Sequence, residues 1–200
     1  MQQWQGQSTM NDQLINEAIA YVEQLFHNNA GGHDTEHMMR VCRNAMKIAE
    51  YEPDCDMDVV ILAALLHDVD DHKLFATENN VNARAFMAAR NVPEKQIERI
   101  CRIIDSVSFS KNKDRRPDTI EAMIVQDADR LDAMGAVGIA RTFAYGGEHG
   151  RQMEDSLQHF HDKLLRLKDL MNTETGRKMA EERHVFLETF LTEYTLETEE

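Results

Sequence analysis

The sequence predicts an all-α, single-domain protein, and three observations carry that prediction. Apolar residues recur at helical spacing along nearly the whole chain. Gly (9) and Pro (3) are scarce in 200 residues. Apolar alternation of period two, the mark of half-buried strands, is essentially absent. No linker, repeat or break in composition divides the chain. One helical bundle over 11–200 is therefore expected, behind a Gln-rich, flexible N-terminal lead-in over 1–10.

The elements follow from the chain in order. Leu14, Ile15, Ala18, Ile19, Val22, Leu25 and Phe26 form one helical stripe, ended by Asn28-Asn29-Ala30-Gly31-Gly32. A second helix is expected from Asp34, as N-cap, to about Tyr51, ahead of Pro53. His37 falls on its core face with Val41, Ala45 and Ile48. A third, from about Met57 to Asp68, contains Val59 to Leu66, apolar on every side, and so should lie in the middle of the domain. A fourth is expected over Thr77 to Arg90. Pro93 suits the first residue of a fifth, with the face Ile97, Ile100, Cys101, Ile104 and Val107. Ser108 to Pro117 reads as a polar, basic loop. Asp118 with Glu121 resembles a capping box opening the helix that carries Asp127 and Asp129. Gly135 and Gly138 permit close helix packing, and Tyr145 to Arg151 reads as a flexible loop. Two amphipathic helices close the chain, one with Leu157, Phe160, Leu164, Leu165 and Met171, the other with Met179, Phe186, Leu187, Phe190 and Leu191.

Composition excludes several classes. The chain is 42% apolar, enough for a sizeable core. No apolar stretch reaches the ~18 residues of a membrane span. The N-terminus lacks the apolar segment of a secretory signal, so a cytoplasmic location is expected. Cys42, Cys55 and Cys101 are far apart and form no Cys-x-x-Cys, which favours reduced core thiols over disulfides or a zinc site. The net charge of −14 argues against coating long nucleic acid, because phosphate contacts need clustered Lys and Arg.

The chemistry starts at His67-Asp68. An imidazole and a carboxylate ending a buried helix are costly unless something pairs with them. A divalent metal would do so, and other donors lie on separate helices. His33 or His37 could join from the segment His33-Asp34-Thr35-Glu36-His37. Asp127 or Asp129 could join from Asp127-Ala128-Asp129-Arg130-Leu131. Two imidazoles and two carboxylates suit Mn²⁺, Fe²⁺, Zn²⁺ or Mg²⁺ better than a thiolate-loving ion.

These motifs resemble the HD-domain metal-dependent phosphohydrolases. The match rests on Glu36-His37-Met38-Met39-Arg40-Val41, Leu65-Leu66-His67-Asp68 and Ala128-Asp129-Arg130-Leu131. It is similar in more detail to a bacterial, pyrophosphatase-like subgroup. That subgroup shares the segments at 33–41, 108–110 and 125–131, together with Phe160 to Leu165 and Thr173-Glu174-Thr175. The resemblance covers about Leu14 to Glu193. It implies His37, His67, Asp68 and Asp129 as ligands of one divalent metal ion, Mn²⁺ being favoured over Fe²⁺, Mg²⁺, Co²⁺, Zn²⁺ or Ni²⁺. Asp127 and Asp34 then read as supporting residues.

The resemblance also implies residues on the substrate side. Asp71, three residues past Asp68, stands where relatives carry a Glu acting as general acid or base. It is therefore the catalytic candidate beside Asp68. His33, Arg40, Lys73, Lys111 and Arg141 are the candidates for holding phosphate, Arg40 and Arg141 because each sits amid apolar residues. The expected activity is hydrolysis of a small phosphorylated substrate, a nucleotide, by nucleoside triphosphate pyrophosphohydrolase-type cleavage. A 5′-nucleotidase, a cyclic-nucleotide or alarmone hydrolase, or a non-catalytic binding module would use the same residues. A monomer or homodimer, with no membrane or long nucleic acid as partner, completes the expectation.

Overall fold

The computed structural model of the chain describes residues 10–27, 34–72, 74–108, 112 and 115–198. Nine α-helices and no strand occur among the described residues. They are α1 (Met10–Phe26), α2 (Thr35–Ala49), α3 (Met57–Leu66), α4 (Val81–Ala88), α5 (Glu94–Val107), α6 (Ile120–Asp132), α7 (Gly135–Glu148), α8 (Met153–Asp162) and α9 (Glu174–Thr198). A 3₁₀ helix, Leu164–Leu170, joins the last two. The expected lead-in over 1–10 lies outside the described residues, apart from the backbone of Met10.

The all-round apolar segment becomes the central helix. Every residue of α3 from Val59 to Leu66 is buried, and α1, α2, α5 and α6 pack around it. A helix with no polar face has no side to offer water, so it settles where neighbours surround it. The core cluster it belongs to also holds Ile48 and Val41 of α2, Ile100 and Ile104 of α5, and Ile124 and Leu131 of α6. The strongest packing in the molecule is α2 on α6, with α2 on α3 next. The first turns of α2, the end of α3 and the second half of α6 are thereby brought together.

Local capping starts these helices where they are needed. Asp34 accepts from His37 N at 2.7 Å and opens α2 as expected. Asp56 does the same for Val59 N at 3.3 Å in α3.

Several boundaries differ from the sequence expectation, each for a visible reason. The cap of α6 is Thr119, which accepts from Ala122 N, not Asp118. Glu121 is taken instead by Arg99 and by the amide of Asp56, so no capping box forms. α4 begins at Val81, not Thr77, because Asn79 and Asn80 adopt left-handed backbone. Asp70 then accepts from the amides of Asn82 and Ala83 and supplies the missing cap from outside the helix. The expected loop from Tyr145 to Arg151 is shorter than its sequence suggests: α7 continues to Glu148, and the turn to α8 begins at His149. Gly146 lies so close to Ser156 that a Cβ there would come within 2.5 Å of its Oγ, so the glycine serves packing of α7 on α8. The expected helix through Phe160 and Met171 breaks at Lys163 into α8 and the 3₁₀ segment.

Candidate metal centre

Three helices deliver the chemistry to one point. His37 lies one turn into α2, His67 follows the last residue of α3, and Asp129 is on the inner side of α6. Asp68 comes next to His67 in the turn leaving α3. One ligand atom each from His37, His67 and Asp129 lies within 4.8 Å of the others. Asp68 Oδ2 is 3.4 Å from Nε2 of both histidines. Asp129 Oδ1 is 3.5 Å from His37 Nε2 and 3.8 Å from His67 Nε2. Two donors each about 2.1 Å from an ion stand about 3 Å apart at an octahedral centre and about 3.4 Å at a tetrahedral one. The observed spacings need only a slight contraction.

The tautomers can be read from the outer partners. His67 Nδ1 is 2.8 Å from Ala64 O. A carbonyl only accepts, so Nδ1 carries the hydrogen and Nε2 the lone pair. His67 Nε2 is buried and has no hydrogen-bond partner. A buried orphan acceptor aimed at two carboxylates is a site built for a cation. His37 Nδ1 likewise donates to Asp132 Oδ2 at 2.8 Å, leaving Nε2 toward the centre. Histidine ligands held by a carboxylate in this way are fixed in tautomer and ring orientation.

Asp132 was not singled out from the sequence. It sits three residues after Asp129, on the same face of α6, and that spacing was the available signal. Its carboxylate is almost fully buried and serves several donors. Arg40 Nε reaches Oδ1 at 2.7 Å, and Arg40 Nη2 and Arg141 Nη1 reach Oδ2. Arg141 Nη1 also lies 3.2 Å from His37 Nδ1, since both donors converge on one carboxylate. Burial works against the charge on Asp132, but the bonds from His37 and Arg40 outweigh it and hold the group well below the usual carboxylate range. Burial likewise lowers the basicity of His37. Its bonds to Asp132 and Asp68 more than reverse that and raise its pKa to about 9 in the metal-free protein.

The sequence candidates divide accordingly. Arg40 and Arg141 are both at the site, and the structure gives each of them Asp132 as partner. Asp71 lies in the turn after Asp68, its amide donating to Asp68 O at 3.0 Å. His33, Lys73 and Lys111 lie outside the described residues. Asp127 points away from the centre. It accepts from the amides and side chains of Asn172 and Thr173 and pins the start of α9 to α6. Cys42, Cys55 and Cys101 are free thiols remote from this chemistry.

The wall of the centre is closed on the imidazole side and open on the carboxylate side. The histidine side chains are 2% exposed, against 14% for Asp68 and 24% for Asp129. A ligand must therefore approach over the two carboxylates.

This arrangement has known counterparts. The sequence model of the HD domain matches residues 35–134, the segment from the start of α2 to the turn after α6. The chain belongs to the HD-domain family of metal-dependent phosphohydrolases. YpgQ of Bacillus subtilis is 40% identical over 179 residues, covering 86% of this chain and 87% of that one. Its crystal structure in complex with ADP superposes with a TM-score of 0.80 at 32% identity over the structural alignment, covering 96% and 98% of the two chains. An HD-superfamily hydrolase of Bacillus thuringiensis superposes with a TM-score of 0.77 at 37% identity, covering 94% and 97%. The fold of this chain is thus shared with that of YpgQ over 96% of its length. The His/Asp cluster is one that could hold the divalent ion of such a hydrolase.

Proposed function

We propose that this HD-domain protein cleaves a phosphoanhydride bond of a small nucleotide, in the manner of a nucleoside triphosphate pyrophosphohydrolase. It would use one divalent ion, Mn²⁺ by preference, held by His37, His67, Asp68 and Asp129. The observation that carries this reading is the orphaned Nε2 of buried His67, facing two carboxylates and the oriented Nε2 of His37. Nucleotide as the substrate class draws on the ADP held by the YpgQ crystal structure. A cytoplasmic location goes with this reading; the cysteines are free thiols, and no helix among the described residues is long and apolar enough to cross a membrane.

When bound, the ion supplies an activated water and polarises the phosphoryl group. The protein's own residues do the remaining work. Asp132 locks His37 so that Nε2 faces inward in every turnover. The Ala64 carbonyl does the same for His67. Asp68 and Asp129 form the open lip, so the anionic substrate enters where only a cation between them relieves repulsion. Asp71, in the turn after Asp68 and 15% exposed, is assigned by this reading to move a proton to or from the reacting oxygen. Arg40 and Arg141 keep Asp132 charged and add positive potential behind the ion. His33, Lys73 and Lys111 are assigned to phosphate binding by the same reading.

The test is turnover of a nucleotide panel by metal-stripped protein reloaded with Mn²⁺, Mg²⁺, Fe²⁺, Co²⁺, Zn²⁺ or Ni²⁺. The expected result is pyrophosphate release from a nucleoside triphosphate, restored best by Mn²⁺ and lost in Asp129→Ala. Orthophosphate from a monophosphate, or opening of a cyclic nucleotide, would move the reading to another phosphohydrolase class. No turnover with any ion would leave a binding module.

A further inference from the structure

The α2 sequence carries a second pattern that the metal centre does not absorb. Arg40, Arg43 and Lys47 recur at spacings of three and four and so share one helix face. Such a basic stripe is conspicuous in a chain of net charge −14. In the structure the face borders a cavity of about 250 Å³ between α2, the turn joining α6 to α7, and α9. Arg40, Arg43, Lys47 and Arg183 line it, with Gly135 and Ala136 at the start of α7. None of His37, His67, Asp68 or Asp129 does.

The charge in this cavity is unbalanced. Its one carboxylate, Asp132, is already engaged by Arg40, Arg141 and His37. Arg43, Lys47 and Arg183 make no ion pair among the described residues. The hydrogen bonds of Arg183 go to neutral oxygens, the Leu131 carbonyl and the Asn44 side chain, and Asp132 and Glu182 act on it only through longer-range attraction that does not outweigh its burial. A guanidinium part-buried against neutral acceptors keeps its full charge and has desolvation still to offset. Burial indeed pulls Arg183 below the usual guanidinium value. The first turn of α7 adds backbone amides with no side-chain cap to the same wall.

We infer that this cavity is a binding site for a phosphate-class oxyanion, separate from the metal centre and behind Asp132. Fork-shaped guanidinium donors and a lysine are the donor set that such an anion recruits. At about 250 Å³ the cavity is smaller than the ~300–1,000 Å³ of sites that engulf drug-sized ligands. It therefore takes a free phosphate or pyrophosphate, or the phosphate end of a larger molecule. The inference rests on these residues and not on the proposed reaction.

The experiment is calorimetric titration of the metal-loaded, desalted protein with inorganic pyrophosphate and, separately, with ADP. Arg43→Ala/Lys47→Ala is the informative variant, because both side chains are exposed and neither touches Asp132. Pyrophosphate should bind this variant at least tenfold more weakly at one of two sites. Arg43→Lys should keep most of the affinity. Asp129→Ala should remove the metal-centre binding and retain the cavity's. If ADP loses affinity in the double variant as well, the cavity holds the diphosphate of a nucleotide; if only pyrophosphate does, it holds the free anion. Pyrophosphate binding unchanged in the double variant, or abolished entirely by Asp129→Ala, overturns the inference. Failure of the proposed reaction would read differently: no nucleotide turned over, with the cavity still titrating.

Discussion

Asp132 is the residue on which the candidate centre depends most, although it is not one of the candidate ligands. It fixes His37 and binds two arginines, so its loss acts in two ways. Asp132→Asn should lower metal affinity about 10–100-fold, the usual effect of losing the group that orients a histidine ligand. It should also destabilise the fold by about 3 kcal/mol, because Arg40 and Arg141 then face a neutral amide in a buried place. Metal titration and chemical denaturation of the same variant separate the two effects. The pH dependence of the metal-free protein follows from His37. Its pKa rises from an ordinary 6.5 to about 9 on folding, so the folded state binds a proton that the unfolded state has lost between those values. The stability from that pairing is complete below about pH 6.5 and disappears as pH rises through about 9. The stripped protein should therefore melt lower at pH 9 than at pH 6.5, and His37→Gln should flatten that fall. Metal affinity should climb over the same window, because the ion displaces the proton on Nε2. His67-Asp68 was legible in the sequence because a polar pair after eight apolar residues is costly without a partner. Asp132 was not, because an acidic residue near a helix end normally faces water, and only the packing of α2 on α6 turns this one inward.

Among the elements, those with strong periodicity matched their sequence pattern, and those set by long-range contacts did not. The stripes of α2 and α5 and the apolar run of α3 are local, so their course follows from residue spacing. The start of α4 depends on Asp70, more than ten residues away, and the end of α7 depends on Ser156 of α8. Neither partner is visible to a helical window. The glycines of α7 make this testable. At Gly147 a Cβ would meet nothing within 4 Å. Gly147→Ala should stabilise the protein by about 0.5–1 kcal/mol through helix propensity alone. At Gly138 a Cβ would come within 2.2 Å of the Ala133 carbonyl oxygen. Backbone must move to admit it, so Gly138→Ala should destabilise by more than about 1 kcal/mol and disturb the α6–α7 turn that follows Asp132. Thermal melts of the two variants, which differ only in position along one helix, should shift in opposite directions.

For the molecule as a whole, positive charge is local and negative charge is general. Four cations line the cavity behind Asp132, and the candidate ion would sit among carboxylates, while the full chain carries −14. A small anion can enter either place; a duplex must also meet the rest of the surface. Binding to duplex DNA at physiological salt should therefore be weaker than the ~10⁻⁴–10⁻⁶ M typical of non-specific DNA-binding proteins. The metal should matter to the entire fold, because its candidate ligands come from α2, α6 and the end of α3, the three elements with the closest mutual packing. An ion that binds only the folded chain stabilises it by about 2.7 kcal/mol at one hundred times its dissociation constant. For a domain of this size that corresponds to a rise of about 5–10 °C in melting temperature. Chelation, with loss of the ion verified by elemental analysis, should reverse the rise, and Mn²⁺ should restore it. Asp129→Ala should melt at one temperature with or without Mn²⁺, whereas Asp127→Ala, with its contact to α9 removed, should start lower yet still respond to the ion. A melting temperature indifferent to verified removal of the ion would show that His37, His67, Asp68 and Asp129 hold one another together without it.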